Sequence, residues 1–187
     1  MPDVIGSIRT ELLRYKALAE GAIGQLSDAE LSDSRSDAAS SVATICWHIA
    51  GNLQSRFTDF LTSDGEKPWR HREEEFQPRA VTHAELEAKW ALGWNAVLQA
   101  LDALDAQTLD QTVTIRGQAL PVGDALHRAL AHCSYHVGQI VYVAKAIRGR
   151  DWTYLSIPPG QSDAYNRQPT MEKPADHARV VSRGTER

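Results

Sequence analysis

Two histidines, His132 and His136, stand four residues apart in a segment with helical periodicity. At about 100° per residue, that spacing leaves the two rings about 40° apart on one helix face. Imidazoles so placed can share a metal ion, as the histidine pair of an H-E-x-x-H helix does. The intervening residues here are Cys133, Ser134 and Tyr135, so the glutamate of that motif is missing. The plainer alternative is a pair of partly buried histidines with hydrogen-bond partners. Against it, Ala129, Ile140 and Val143 place the pair on or beside the apolar stripe, where unpaired imidazoles are costly and coordination would satisfy them. His48 lies in another apolar run, between Trp47 and Ile49, and a facing helix could bring it to the pair. Three neutral imidazoles with open positions make a reactive type of site, whereas structural zinc is usually closed by four ligands.

The remaining candidates follow from these. Cys133 points about 100° away from His132, and Cys46 is two positions from His48. Both read as small buried residues. His71, His83, His127 and His177 read as solvated. Asn52, Ser55 and Asp59 follow His48 at +4, +7 and +11, with Arg56 beside that stripe. Tyr135, Gln139 and Tyr142 flank the histidine pair. From these, Asn52, Arg56, Tyr135 and Gln139 are expected to line a substrate pocket or orient ligands. Asp59 and Tyr142 are the candidates for a general base, by face alone.

Four long helices must carry these groups. The first is expected over Val4 to about Leu26, followed by a polar loop from Ser27 through Asp33, Ser36 and Ser40. The second runs from about Ser41 to Thr62, with Ser40 or Ser41 as N-cap, and stops at Ser63-Asp64-Gly65. A long ordered loop over 65–81 follows, with Trp69 and Phe76 as its anchors and most of its charges solvated or forming a lid or a subunit contact. Thr82 and Glu85 make a capping box for the third helix, which reaches about Leu104. Val113 to Val122 reads as a small hairpin turning at Gly117-Gln118. The fourth helix spans about Val122 to Arg148 and ends at Gly149. The expected fold is all-α: a four-helix bundle over residues 1–166 with a small β-hairpin before the last helix, then a polar, flexible tail over 167–187.

Composition limits the function. The chain has 187 residues, of which 42% are hydrophobic, and 20 basic against 24 acidic residues give a net charge of −4. No nucleic-acid footprint follows from that balance. There is no apolar run long enough for a membrane span, and the N-terminus does not read as a secretory signal, so a cytoplasmic protein with reduced thiols is expected.

The stretches Trp47-His48-Ile49-Ala50-Gly51-Asn52-Leu53 and Arg56-Phe57-Thr58-Asp59-Phe60-Leu61, with the loop from Asp64 to Phe76, resemble the DinB-like metalloprotein superfamily. So does His132-Cys133-Ser134-Tyr135-His136-Val137-Gly138-Gln139, which is similar to its H-x-x-x-H-x-x-Q motif. Trp152 and Leu155 to Gly160 resemble one bacterial branch of it, for which no substrate is established. The resemblance implies an up-down-down-up bundle, often a homodimer, with one metal-ligating histidine on the second helix and two on the fourth: His48, His132 and His136. Nickel, zinc, iron or manganese would suit the site. Relatives of this kind include thiol-dependent transferases, so the implied chemistry is activation of a low-molecular-weight thiol toward a small-molecule substrate. A metal-dependent hydrolase and a non-catalytic metal-binding or dimerisation module are the alternatives, and a metal-free small-molecule binder is a third.

Overall fold

The structure is a computed structural model describing residues 3–34 and 40–185; the expected loop position Ser36 lies outside the described residues. Its long helices are α1 (Val4–Ile23), α3 (Val42–Phe57), α4 (His83–Asp102) and α5 (Val122–Arg148). A one-turn helix α2 (Asp28–Leu31) follows α1. Strands β1 (Thr112–Ile115) and β2 (Gln118–Pro121) form an antiparallel hairpin before α5. Helices α6 (Ser162–Arg167) and α7 (Pro174–Thr185) complete the chain. No helix is long and apolar enough to cross a membrane among the described residues.

Local chemistry sets most boundaries. The Ser41 side chain accepts from the Thr44 amide and caps α3. Thr82 and Glu85 form a reciprocal capping box on α4, an arrangement that stabilises a helix start by about 1 kcal/mol. Gly149, at φ +55°, ends α5 in the left-handed region that favours glycine. The segment after Ser27, expected as loop, instead makes α2. Ser27 and Glu30 cap it reciprocally, and it drives Leu31 fully into the core.

The side-chain pairings give the helix directions. His48 meets His132, and the other end of α3, at Arg56, faces Ala125 and Arg128, so α3 and α5 are antiparallel. Trp47 is near Lys89 and Phe60 near Ala100, so α3 and α4 run parallel. Arg9 pairs with Asp102 and Glu20 with Trp90, so α1 opposes α4. Glu30, just past α1, pairs with Arg148 at the end of α5, so α1 and α5 are parallel. The bundle is therefore up-down-down-up. Parallel neighbours cannot be joined by a short turn. The chain must travel back along α3, which is about 24 Å long, and the crossover over residues 58–82 is that return path. The two helices it joins approach very closely. A Cβ on Gly93 would lie 2.6 Å from the Cα and carbonyl oxygen of Ala50, so only glycine permits this contact.

The core is a continuous cluster drawn from all four long helices, with Leu12, Ile49, Leu53, Trp94, Leu126 and Ile140 essentially inaccessible. Further expectations are corrected. The hairpin turns at Arg116-Gly117, one residue earlier than expected, with φ of +55° and +71°, as in a type I′ turn. The Asp64 carboxylate accepts the amides of Arg116 and Gly117 at 2.8 and 2.7 Å, which offsets the strain at Arg116. The segment expected as a flexible tail carries α7, which packs on α1. There Val181 is buried, and so is His177, which was expected to be solvated and which bonds the carbonyl of Leu155 at 2.7 Å.

Candidate metal centre

The antiparallel packing of α3 on α5 brings His48, His132 and His136 together. One ring nitrogen from each lies within 4.8 Å of the others, an arrangement that could hold a metal ion. His48 is 5% exposed and His136 9%. The Nε2 atoms of His48 and His132 are 3.2 Å apart. Two nitrogens bound at about 2.1 Å to one tetrahedral ion would be separated by slightly more than that.

The outer partners of the rings decide which nitrogens are free. His48 Nδ1 lies 2.8 Å from Glu75 Oε2. A carboxylate there accepts the Nδ1 proton and leaves the Nε2 lone pair pointing inward. His136 Nδ1 lies 2.7 Å from Gln139 Oε1, so the amide oxygen accepts from Nδ1 and again frees Nε2. That Nε2 is buried and has no hydrogen-bond partner among the described residues, and neither has His132 Nδ1. A buried acceptor without a donor is unfavourable, and a cation between the rings would satisfy it. Burial, followed by repulsion from His136 and His48, pushes the pKa of His132 down to about 3. Burial also lowers that of His136. Both are therefore neutral at ordinary pH, the form in which an imidazole can coordinate.

Glu75 is the residue the sequence reading missed. It comes from a 3₁₀ turn (Arg72–Phe76) in the crossover and is buried against α3. Arg70 grips it with two bonds, Nε to Oε1 at 2.8 Å and Nη2 to Oε2 at 2.9 Å. Burial alone would raise the Glu75 carboxyl. The bonds from Arg70 and His48 outweigh it and hold the group below its ordinary value. Gly51 makes the room, since a Cβ there would sit 2.2 Å from Glu75 Oε1. A glycine within a helix, three residues after a candidate ligand, was the available signal of a close approach.

The other expected site residues separate into two groups. Asn52 and Arg56 line a cleft of about 70 Å³ that ends on His132, together with Phe57, Phe60 and Arg128. Arg56 also donates to the Gly65 carbonyl and to Glu66. Gln139 bonds His136, and the Tyr135 ring packs on His136 at 4.0 Å between centroids while remaining 56% exposed. Asp59 and Tyr142 are not brought to the histidines. Helix α3 ends at Phe57, Thr58 is extended and Asp59 takes φ +49°, so the helical phase from His48 is lost. Tyr142 is 76% exposed.

In the crossover, Phe76 lies against His48 at 4.6 Å between ring centroids, and it and Trp69 both remain exposed rather than buried in the core. Lys67, Arg70 and Glu75 are buried instead. Cys46 and Cys133 are buried, as expected, and burial raises both thiols, Cys133 to about 12. His71 and His127 are exposed, while His83 pairs with Asp28.

An antiparallel helix pair carrying a three-histidine cluster, backed by a carboxylate from a crossover, defines a helical-bundle protein with a possible metal site. The chain belongs to the family described as "Protein of unknown function (DUF1572)", whose model matches residues 3–161. No curated protein matches it. Its fold is similar to the "Crystal structure of the conserved protein of locus from Enterococcus faecalis", with 19% identity, 80% of this chain and 99% of that chain covered, and a TM-score of 0.58. At that identity the likeness shows the fold alone.

Proposed function

We propose that His48, His132 and His136 hold one divalent metal ion and that the protein is a metal-dependent enzyme activating a low-molecular-weight thiol, in the manner of the DinB-like transferases it resembles. The observation that carries the reading is the pair of outer bonds, Glu75 to His48 and Gln139 to His136, which leave inward Nε2 atoms, that of His136 buried and without a partner among the described residues. A metal there would lower the pKa of a bound thiol and hold it as a thiolate. The chain's own residues supply the rest. Glu75 and Gln139 fix two of the imidazoles. Arg56 and Arg128 give the cleft a positive wall suited to a thiolate or an acidic substrate, and Phe57 and Phe60 give it an apolar one. No carboxylate lines that cleft among the described residues, which leaves water without an evident general base and favours thiol transfer over hydrolysis.

Elemental analysis of the full chain, followed by a panel of thiols against a generic electrophile, tests the reading. The expected result is about one equivalent of nickel, zinc, iron or manganese per chain, as a single open three-histidine site would hold, lost in His48→Ala and His132→Ala, with metal-dependent thiol consumption. Metal retained in full by His132→Ala refutes the site. Stoichiometric metal with no turnover for any thiol refutes the transferase and leaves a metal-binding module.

A further inference from the structure

A second pocket lies on the adjoining face of α3. Trp47, Gly51 and Gln54 form a stripe about 100° round the helix from His48 and Asn52. The crossover and α4 close over this stripe and leave a cavity of about 220 Å³. Its walls include Trp47, Trp69, Arg70, Arg79 and Lys89, with Glu74 among the remaining residues.

The donors around this cavity exceed the acceptors. Arg70 spends Nε and Nη2 on Glu75, and its third nitrogen, Nη1, is buried without a partner among the described residues. Arg79 donates through Nη2 to the Glu74 carbonyl, and its Nε is likewise buried and unpartnered. The Arg79 guanidinium carbon lies over the Trp47 ring, 4.6 Å from its centroid, which holds it at the wall. The Lys89 ammonium is half-buried and makes no hydrogen bond among the described residues. Burial, with Arg79 and Arg70 nearby, pushes its pKa down against the pull of Glu75. Glu75, the buried carboxylate of this pocket, is already committed to Arg70 and His48. Glu74 is exposed, where water screens its charge.

Buried donors without acceptors are unfavourable, and three cations set against a single buried carboxylate, which Arg70 already holds, leave Arg79 and Lys89 under-compensated. One group with several acceptor oxygens would relieve both costs. We propose that this pocket binds a small oxyanion, a carboxylate or a phosphate, with Lys89, Arg79 and Arg70 as its charged contacts and the exposed face of Trp69 available to a flat apolar body. Guanidinium groups suit both anions because their planar donors match paired oxygens. The site is separate from the histidine cleft and does not depend on a metal. It touches that site through Arg70, whose other two nitrogens hold the carboxylate behind His48.

Titration of the full chain with inorganic phosphate, acetate and benzoate tests the inference, with and without added zinc. Calorimetry and the indole NH signals of Trp47 and Trp69 provide the readout. Saturable binding of phosphate or of a carboxylate is expected in both conditions. A preference for phosphate identifies a phosphorylated ligand, and benzoate bound more tightly than acetate identifies an aromatic acid. Lys89→Gln removes a group with no hydrogen bond among the described residues, and it should weaken binding at least tenfold with an unchanged circular dichroism spectrum. Arg79→Gln should weaken it similarly. Absence of saturable binding by all three anions overturns the proposal. So does binding unaffected by both variants, and so does binding that needs zinc and disappears in His132→Ala, which would place the anion at the histidines.

Discussion

Glu75 ties the crossover to the histidine cluster through a single carboxylate. It neutralises the buried Arg70 guanidinium and also accepts the Nδ1 proton of His48. Glu75→Gln keeps the shape and removes the charge. Breaking one side of a buried ion pair costs about 3 kcal/mol, and losing the partner of a ligating histidine lowers metal affinity about 10- to 100-fold. Urea unfolding and competition against a metal-chelating dye should show both losses together. Gly51→Ala separates them. Its methyl would meet Glu75 Oε1 at 2.2 Å and displace the carboxylate without removing the counter-charge of Arg70. Metal affinity is expected to fall by a similar factor, while stability falls by only about 1–2 kcal/mol, the usual cost of local overpacking. Wild-type metal affinity in both variants would show that Glu75 has no part in orienting His48.

At the scale of the elements, the hairpin and the crossover are held together by Asp64. Its carboxylate accepts three backbone amides, those of Glu66, Arg116 and Gly117. These bonds hold its pKa at about 2, below the ordinary 3.8. A carboxyl depressed on folding stabilises the folded form above its unfolded pKa, and that contribution is lost as pH falls through the folded value. Hydrogen exchange of the Arg116 and Gly117 amides should therefore accelerate between pH 3.8 and about 2, after correction for intrinsic rates. In Asp64→Ala those amides are expected to exchange rapidly at every pH, with the helices unaffected; protection equal to that of the native chain would contradict this role. Such a link joins residues far apart in the chain, which explains what could and could not be read from sequence. The Thr82–Glu85 box, the end at Gly149 and the His132–His136 pair are all local, set by helical spacing of three or four residues. Periodicity carried past Phe57, where the helix stops, puts Asp59 on the wrong face. Glu75 and Arg70 sit in a charge run that composition alone makes look solvated, and only the parallel course of α3 and α4 forces that run back across the site.

For the molecule as a whole, the polar composition after Gln168 concealed a helix with a narrow apolar edge. Helix α7 rests on α1, the long helix that packs on α4 and α5 and supplies no histidine to the cluster. Gly21 on α1 gives it a seat, since a Cβ there would be 2.7 Å from Val181 Cγ1 and 3.0 Å from Leu155 Cδ2. Burial of a valine side chain stabilises by about 1.5–3 kcal/mol, and the His177 bond to Leu155 adds about 1 kcal/mol. Removing residues 168–187 exposes this face of α1 and leaves the α3–α5 contact in place. The truncated chain is expected to melt roughly 5–10 °C lower, following the usual conversion for a domain of this size. Its affinity for added zinc should stay within about twofold of the full chain, because distant sites without shared partners act independently. Calorimetric melting and dye competition on the same preparation measure the two quantities. An unchanged melting temperature would show that α7 contributes nothing to stability. A large loss of zinc affinity at an intact circular dichroism spectrum would show that α1 transmits the state of the C-terminal helix to the histidines on α5.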